Sequence, residues 1–283
     1  MSRGRLHLGD FFNFGKEKAS EASDTEEKGA PEPADAEETY YDEDDPIEKI
    51  FGVFFGKKEK APMGMKRFGQ SQFPEQYPAV LDEWAAPVEG DDAEMATLRP
   101  LLKNTNLETR RLRLIYDANR DGWTPEAFHG KVDKQSGGVV LCTTRAGIKC
   151  GGYNPKGWVG YGEARGSIAA FLFILGGPYA RDGAPGIKLR KIGGPGLAQM
   201  DLPESGPSFS PDALVVPMQA GNGGNPRAAR SKLGSYYERL PDGTNSLFGK
   251  DASVQLRELK VYNGVYEEGE YVPFTDAEPF ALY

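Results

Sequence analysis

The fold of this chain is decided between Leu112 and Leu175. The stretch opens with LRLIYDANRDGW at residues 112–123, in which apolar and polar side chains first alternate as in a half-buried strand. The same segment ends in an RDG turn, and a TPEAFH helix start follows it. Two apolar runs separated by Ala146-Gly147 come next and predict a hairpin. The stretch closes with FLFIL at residues 171–175, a length that suits a buried strand.

Short strand-like runs separated by glycine and proline turns dominate the sequence around this stretch. One helix is predicted from Asp91 or Asp92 to about Leu102, because its apolar side chains share a face. Many short strands with few helices predict a mostly β (α+β) fold, a two-sheet antiparallel β-sandwich with peripheral short helices. The predicted strands are 111–116, 138–144, 148–153, 168–175, 187–192, 213–217 and 256–265.

The acidic charge of the chain is concentrated near its N-terminus. Residues 21–48 contain 13 acidic side chains and one lysine, a net charge of −12, whereas the whole chain carries −8. The other residues together carry only +4. A nucleic-acid binder needs a basic surface that faces phosphates, so no nucleic-acid partner is expected. The longest apolar run, residues 168–175, is much shorter than the ~18 residues of a membrane span, so no transmembrane segment is predicted.

Composition divides the chain into three parts. Residues 1–60 are predicted to be an acidic disordered tail, because they offer few large apolar groups to offset the entropy of ordering. Residues 61–93 are predicted to be a proline- and glycine-rich linker packed on the domain. Residues 94–283 are predicted to be the domain itself.

Two similar short segments, Phe11–Lys18 and Ile47–Lys60, lie on either side of the acidic stretch. Each places adjacent phenylalanines before basic side chains, which suggests a pair of docking sites; coincidence in a chain with 15 phenylalanines is the alternative. The second segment has helical apolar spacing, and such a helix packs either on its own domain or in a partner's groove. Contact with a membrane surface through both segments is a further hypothesis. The predicted anchors are Phe11, Phe12, Phe54 and Phe55.

Motifs for metals and cofactors are sparse. Asp117, Asn119 and Asp121 match the first half of an EF-hand calcium loop, but position twelve is Phe128 and not the bidentate acid that such a loop needs. The segment is instead predicted to be a turn with Gly122 at positive φ. With two histidines and two cysteines no convincing zinc site can be assembled from the sequence, and no phosphate-binding glycine motif is present. Neither a metal nor a cofactor is therefore expected.

Two residues are candidates for catalysis, His129 and Cys142. A partly exposed helix histidine is the favoured interpretation of His129, and the alternative is a base for a thiol or hydroxyl nucleophile beside the loop of Trp158. Cys142 and Cys150 flank a turn, within reach of a disulfide if they lie on facing strands. Two buried thiols in a reducing compartment are favoured. We expect an intracellular protein, cytoplasmic or, if a presequence has been removed, in a plastid.

The order of these elements resembles the TLDc domain of oxidation-resistance proteins, in a divergent member of plant or algal type. The resemblance extends from about Glu94 to Tyr266, more than half of the chain. Six blocks carry it, in the order that the family shows. They are LRLIYDANRDGW at 112–123, FH at 128–129, GGY with Trp158 at 151–158, FLF at 171–173, SF with DALVV at 208–216, and LRELKVY at 256–262.

Two departures from the family pattern mark the chain as divergent. The family often has an acidic residue two positions before FLF, where this chain has Ala169. The glycine-rich run before the late strand is replaced by LPESGP at residues 202–207. An activity that depends on that acid would be lost here.

The resemblance implies a two-sheet sandwich, a link to oxidative stress and, in some members, binding to the vacuolar proton pump; it implies no cofactor. We therefore expect a non-enzymatic module that binds a protein partner, in a stress-protective or complex-regulating role. Trp158 and Tyr161 are candidate partner contacts on the domain. The alternative is an enzyme with a site around His129, Cys142 and Trp158. The partner itself cannot be named from the sequence.

Overall fold

Eleven strands and three short α-helices make up the part of the chain that this computed structural model describes, residues 73–181, 183–219 and 224–273. The helices are α1 (Ala93–Leu98, continued by a 3-10 turn, Arg99–Leu102), α2 (Ala118–Asp121) and α3 (Pro125–Val132). The strands are β1 (Leu112–Asp117), β2 (Gly138–Thr144), β3 (Lys149–Asn154), β4 (Glu163–Arg165), β5 (Phe171–Leu175), β6 (Gly186–Arg190), β7 (Gln199–Asp201), β8 (Ser208–Phe209), β9 (Leu214–Val215), β10 (Ala228–Arg230) and β11 (Ser253–Gly264).

The long strand β11 organises the main sheet. It pairs with β2 over most of its length, with β1 near its C-terminal end and with β10 near its N-terminal end. From β2 the sheet continues through β3 and β5 to β6, and from β10 it continues through β9 to β8. Strands β4 and β7 form a separate pair. All of these strand pairs are antiparallel, which confirms the predicted mostly-β antiparallel class.

The central strands bury both of their faces. Successive side chains of a strand point to opposite sides, so Val140 and Cys142 belong to one core cluster while Val139 and Leu141 belong to the other. The short branch β8–β10 covers the first face. Its Phe209 ring lies so close to β3 that a Cβ built on Gly152 would be 2.6 Å from it. Two layers therefore pack on each other, but both belong to one continuous nine-stranded sheet and not to the two separate sheets that the sequence predicts.

Helix α1 and the 3-10 turn after it cover the second face. The Asp92 side chain caps the helix, because its Oδ1 accepts the backbone N–H groups of Glu94 at 2.9 Å and Met95 at 2.8 Å. Leu98 and Leu102 are fully buried against the sheet. The helix predicted from Asp92 to Leu102 is thus confirmed, with its last turn tightened to 3-10 geometry.

Two predicted strands are longer than the observed ones. The strand expected at 168–175 begins only at Phe171, because the Ser167 backbone N–H turns away to donate to Pro195 O at 2.9 Å. The strand expected at 213–217 is reduced to Leu214–Val215, and the Val216 N–H donates to Pro207 O at 3.1 Å. A loop hydrogen bond thus delays the start of the first strand. The second stops at Val216 because Pro207, next in the β8–β9 register, has no N–H with which to continue the pairing.

The predicted tail, with its phenylalanine segments, and the first part of the linker, residues 61–72, lie outside the described residues. The described residues all belong to one compact unit. Linker residues Ala79 and Trp84 pack against the second core cluster. Within the described ranges, none of the helices has the length and apolar character needed to cross a bilayer.

Candidate functional site

Helix α3 places His129 and Asp133 on one side, one turn apart. Thr124 caps this helix by accepting the Ala127 N–H at 3.2 Å, and Pro125 occupies the first helical position, as the sequence predicts. Phe128 and Val132 are fully buried and anchor the opposite side of the helix in the core. The core thus holds the helix at a fixed rotation, and the two polar side chains face away from it.

The loop Trp158–Gly160 lies against this helix end. Trp158 bridges to Asp133, and its carbonyl oxygen accepts the Lys134 N–H at 2.8 Å. Its indole packs edge to face on Phe128, with 5.5 Å between ring centroids. Gly160 has φ +71°, and a Cβ there would lie 2.5 Å from Asp133 Oδ2. A glycine is therefore required at this position both by conformation and by the approach of the carboxylate.

Strand β7 brings Asp201 to the same loop. The residue is 1% exposed, and its Oδ2 accepts the N–H groups of Val159 at 2.7 Å and Gly160 at 3.1 Å. Its Oδ1 is buried and has no hydrogen-bond partner among the described residues. Burial raises the pKa of the Asp201 carboxyl, although the two backbone N–H donors oppose this.

Both ring nitrogens of His129 are engaged. Nδ1 lies 2.8 Å from Asp133 Oδ1, and Nε2 lies 3.0 Å from the carbonyl oxygens of Leu202 and Ser205. Carbonyl oxygens only accept hydrogen bonds, so Nε2 carries a hydrogen. Burial lowers the pKa of His129, but the hydrogen bond and charge of Asp133 outweigh it, with the two carbonyls adding to the effect, so the net pKa is raised. The arrangement holds helix α3 to the loop after β7.

Cys142 and Cys150 face each other across the β2–β3 hairpin. They are directly paired in the register, and both are free, buried thiols. Burial raises the pKa of both, that of Cys150 to about 12. The hydrogen-bonding partners of His129 are a carboxylate and two carbonyls, so no thiol accompanies it. The structure therefore does not join the two catalytic candidates into a nucleophile–base pair.

The aromatic candidates for partner binding differ in exposure. Trp158 is 3% exposed and lies in the core, whereas Tyr161 is partly exposed, with Lys134 Nζ 5.4 Å from its ring centroid. Solvent therefore reaches Tyr161 and hardly reaches Trp158. Partner binding by either ring stays a prediction, and the tail candidates Phe11, Phe12, Phe54 and Phe55 lie outside the described residues.

Neither Asp133 nor Asp201 follows from the sequence patterns above. The spacing of His129 and Asp133 on one helix is a local signal that could have identified the first pair. Asp201 lies on a three-residue strand that no periodicity marks, so only the folded chain brings it to His129.

The calcium-like segment uses its acidic side chains within the turn. Asp117 Oδ1 accepts the Asn119 N–H at 3.0 Å, and Asp121 Oδ2 accepts the Asp117 N–H at 2.9 Å. The hydrogen bond from Arg120 is the main reason that the pKa of Asp121 falls to about 2. Gly122 has φ +112°, as predicted for the turn. The two carboxylates thus cap a short helix, α2.

We expect Asp121→Ala to act through this turn and not through a lost ion. Calorimetric titration of the intact chain with Ca²⁺ should show no binding in the sensor range of ~10⁻⁷–10⁻⁵ M. The variant should lose about 1 kcal/mol of stability with its capping interactions. Clear calcium binding that disappears in Asp117→Ala would contradict the turn interpretation.

The comparison with family models finds a match that spans the elements from α1 to β5. No curated protein matches the chain. The match to a family model starts at Asp91, before α1, and ends at Ala180, after β5, so it includes His129, Asp133 and the Trp158–Gly160 loop. Residues 91–180 match the model of the TLDc domain, which confirms the resemblance of this chain to the TLDc-domain family.

Proposed function

We propose that this chain is a non-enzymatic TLDc-type module that binds a protein partner, in a stress-protective or complex-regulating role. The observation that carries the proposal is the match of residues 91–180 to the TLDc domain, whose family is commonly linked to resistance to oxidative stress. This family link is the reason to expect the role.

The burial and hydrogen bonding of the candidate catalytic groups favour a binding role over a catalytic one. A nucleophilic cysteine needs an accessible thiolate, whereas Cys142 and Cys150 are buried and their thiol pKa values are raised. A general base needs a free lone pair, whereas both ring nitrogens of His129 already have partners. These groups stabilise the fold around α3 and the hairpin.

The partner would be engaged by two kinds of surface. The segments Phe11–Lys18 and Ile47–Lys60 offer large apolar groups beside positive charge, on either side of a stretch with a net charge of −12 between residues 21 and 48. On the domain, Tyr161 is the aromatic candidate that solvent reaches. Weak sites linked in one chain gain affinity because the second contact forms at high effective concentration.

The double variant Phe54→Ala, Phe55→Ala tests the docking role. We expect it to reduce the recovery of a co-purified partner, with a loss of avidity of ~10²-fold when one of two linked sites is removed. Partner recovery should be measured by quantitative mass spectrometry after affinity purification, and domain stability by thermal melting. Tyr40→Ala, Tyr41→Ala is the matched control, because it removes two adjacent aromatic rings that are followed by acidic residues.

Two results would count against docking. If the phenylalanine variant lowers the melting temperature by several degrees, the segment packs on its own domain. If a chain that lacks residues 1–60 retains all of its partner binding, the tail plays no part and the contact lies on the domain.

A further inference from the structure

Three side chains able to bind a metal ion converge beside the Trp158–Gly160 loop. One ligand atom from each of His129, Asp133 and Asp201 lies within 4.8 Å of the other two. We infer that these three side chains form a binding site for a divalent first-row transition ion, with Zn²⁺ as its representative. This inference goes beyond the proposed partner-binding role and does not depend on it.

The imidazole of His129 is oriented as metal-binding histidines are. Such histidines usually donate the N–H that faces away from the ion to a backbone carbonyl or a carboxylate, which fixes the tautomer. In this chain Nε2 donates to the carbonyl oxygens of Leu202 and Ser205, each at 3.0 Å. Nδ1 then faces the Asp133 carboxylate at 2.8 Å, where an ion would take the place of the proton between them.

Asp201 provides an independent indication of a ligand. A carboxylate that is 1% exposed should have partners for both oxygens, because a buried polar atom without one costs free energy. Its Oδ2 is satisfied by the N–H groups of Val159 and Gly160. Its Oδ1 has no partner among the described residues. A cation bound between Asp201, His129 and Asp133 would give this carboxylate the partner that it lacks.

Exposure and distance both allow an ion to enter. The side chains of His129 and Asp133 are 11% and 26% exposed, so the site opens to solvent beside Asp133, while Asp201 closes its inner side. Neighbouring ligands of a tetrahedral Zn²⁺ lie about 3.4 Å apart. From separations within 4.8 Å, the widest pair would close by at most about 1.4 Å, which is within reach of side-chain rotation.

The ligand types determine the class of ion. One imidazole nitrogen with two carboxylates suits Zn²⁺ and related first-row ions. Calcium takes six to eight oxygen ligands, more than this set supplies. Three protein ligands would leave the remaining coordination position to water.

The test is calorimetric titration of the full chain with Zn²⁺ after treatment with a chelator. We expect one ion to bind per chain and to raise the melting temperature, because an ion that binds only the folded state stabilises it. Asp133→Asn and Asp201→Asn should each weaken Zn²⁺ binding by ~10²-fold or more. Asn keeps the size of Asp, and at position 201 it can still accept the two backbone N–H groups.

Two controls separate this site from other acidic and histidine groups. Glu126→Gln changes an acid on the same helix that lies on the exposed side, and it should leave Zn²⁺ affinity unchanged. His7→Gln removes the other histidine of the chain and should also have no effect. Ca²⁺ should bind far more weakly than Zn²⁺ in the same titration.

The inference is overturned if the wild-type chain shows no Zn²⁺ binding below millimolar concentration, or if binding survives Asp133→Asn and Asp201→Asn. Loss of binding in His7→Gln would place the ion in the tail and would also overturn it. Circular dichroism melts without metal identify variants that fail to fold. If Asp201→Asn fails, Asp133→Asn decides, because its side chain is partly exposed. The partner-recovery experiment is unaffected by any of these outcomes.

Discussion

Asp91→Ala is expected to destabilise the domain by about 3–5 kcal/mol, the cost of leaving one member of a buried ion pair alone. The Asp91 side chain is 4% exposed and that of Arg99 is 0% exposed. The guanidinium donates from Nε and Nη2 to the two carboxylate oxygens, each at 2.7 Å. Its Nη1 donates to the carbonyl oxygen of Leu107 at 2.6 Å. All three nitrogens of the side chain are thus used.

The Asp91–Arg99 pair fixes the segment that contains helix α1 and the 3-10 turn. Arg99 joins Asp91, which precedes the N-cap of helix α1, to Leu107 beyond the 3-10 turn. One side chain thus ties both ends of the segment that covers the second core cluster. Without Asp91 the guanidinium remains buried with two nitrogens unpaired, and the segment that carries Leu98 and Leu101 is no longer tied at both ends. The loss should appear as a lower urea midpoint in equilibrium unfolding with little change in slope.

A surface pair provides the comparison. Arg120 and Asp121 are joined at 2.8 Å, but the Arg120 side chain is 56% exposed. Arg120→Ala should therefore lower stability far less than Asp91→Ala, because solvent screens an exposed ion pair. If Asp91→Ala lowers the free energy of unfolding no more than Arg120→Ala does, the buried pair contributes little. Another contact must then hold helix α1 and its 3-10 turn on the core.

Local signals explain how much of the fold could be predicted. The cap at Asp92, the Thr124-Pro125 start and Gly147 between the cysteines each act within a few residues, and each predicted element is present. Strand β2 was expected at 138–144 and is observed there, because its apolar run is long and continuous. Signals of this kind are predictive because residues close in sequence determine the backbone geometry of caps and turns.

The candidate site shows why the rest could not be predicted. Strand β7 has three residues and forms only because β4 is placed beside it, so no period in the sequence marks Asp201. The orphan Oδ1 of Asp201 and the tautomer of His129 are properties of tertiary neighbours. A count of histidines and cysteines alone also overlooks the two carboxylates of the metal site that we propose.

Gly151→Ala is expected to cost about 3 kcal/mol or more, at the upper end of the range for overpacked cores. Gly151 and Gly152 lie in β3, between β2 and β5. A Cβ on Gly151 would collide with the backbone carbonyl oxygen of Val140 and would lie 2.8 Å from the Phe173 ring. The carbonyl belongs to the pairing of β2 with β3, so it cannot rotate away as a side-chain end would.

The neighbouring glycine shows that the close packing applies to both faces. A Cβ on Gly152 would lie 2.6 Å from the Phe209 ring and 2.8 Å from Leu172, on the side covered by β8. The GGY block, one of the six that carry the family resemblance, is therefore explained by two layers that approach the same strand from opposite sides. It needs no ligand to account for it.

Gly130→Ala is the matched control, because it adds the same methyl group where nothing lies within 4 Å. Gly130 is exposed in helix α3, so alanine there should stabilise the domain by roughly 0.5–1 kcal/mol through helix propensity. Equilibrium urea unfolding of both variants should therefore give shifts of opposite sign. If Gly151→Ala loses less than about 1 kcal/mol, β3 moves to accommodate the methyl group, and the glycine pair then requires a reason other than packing.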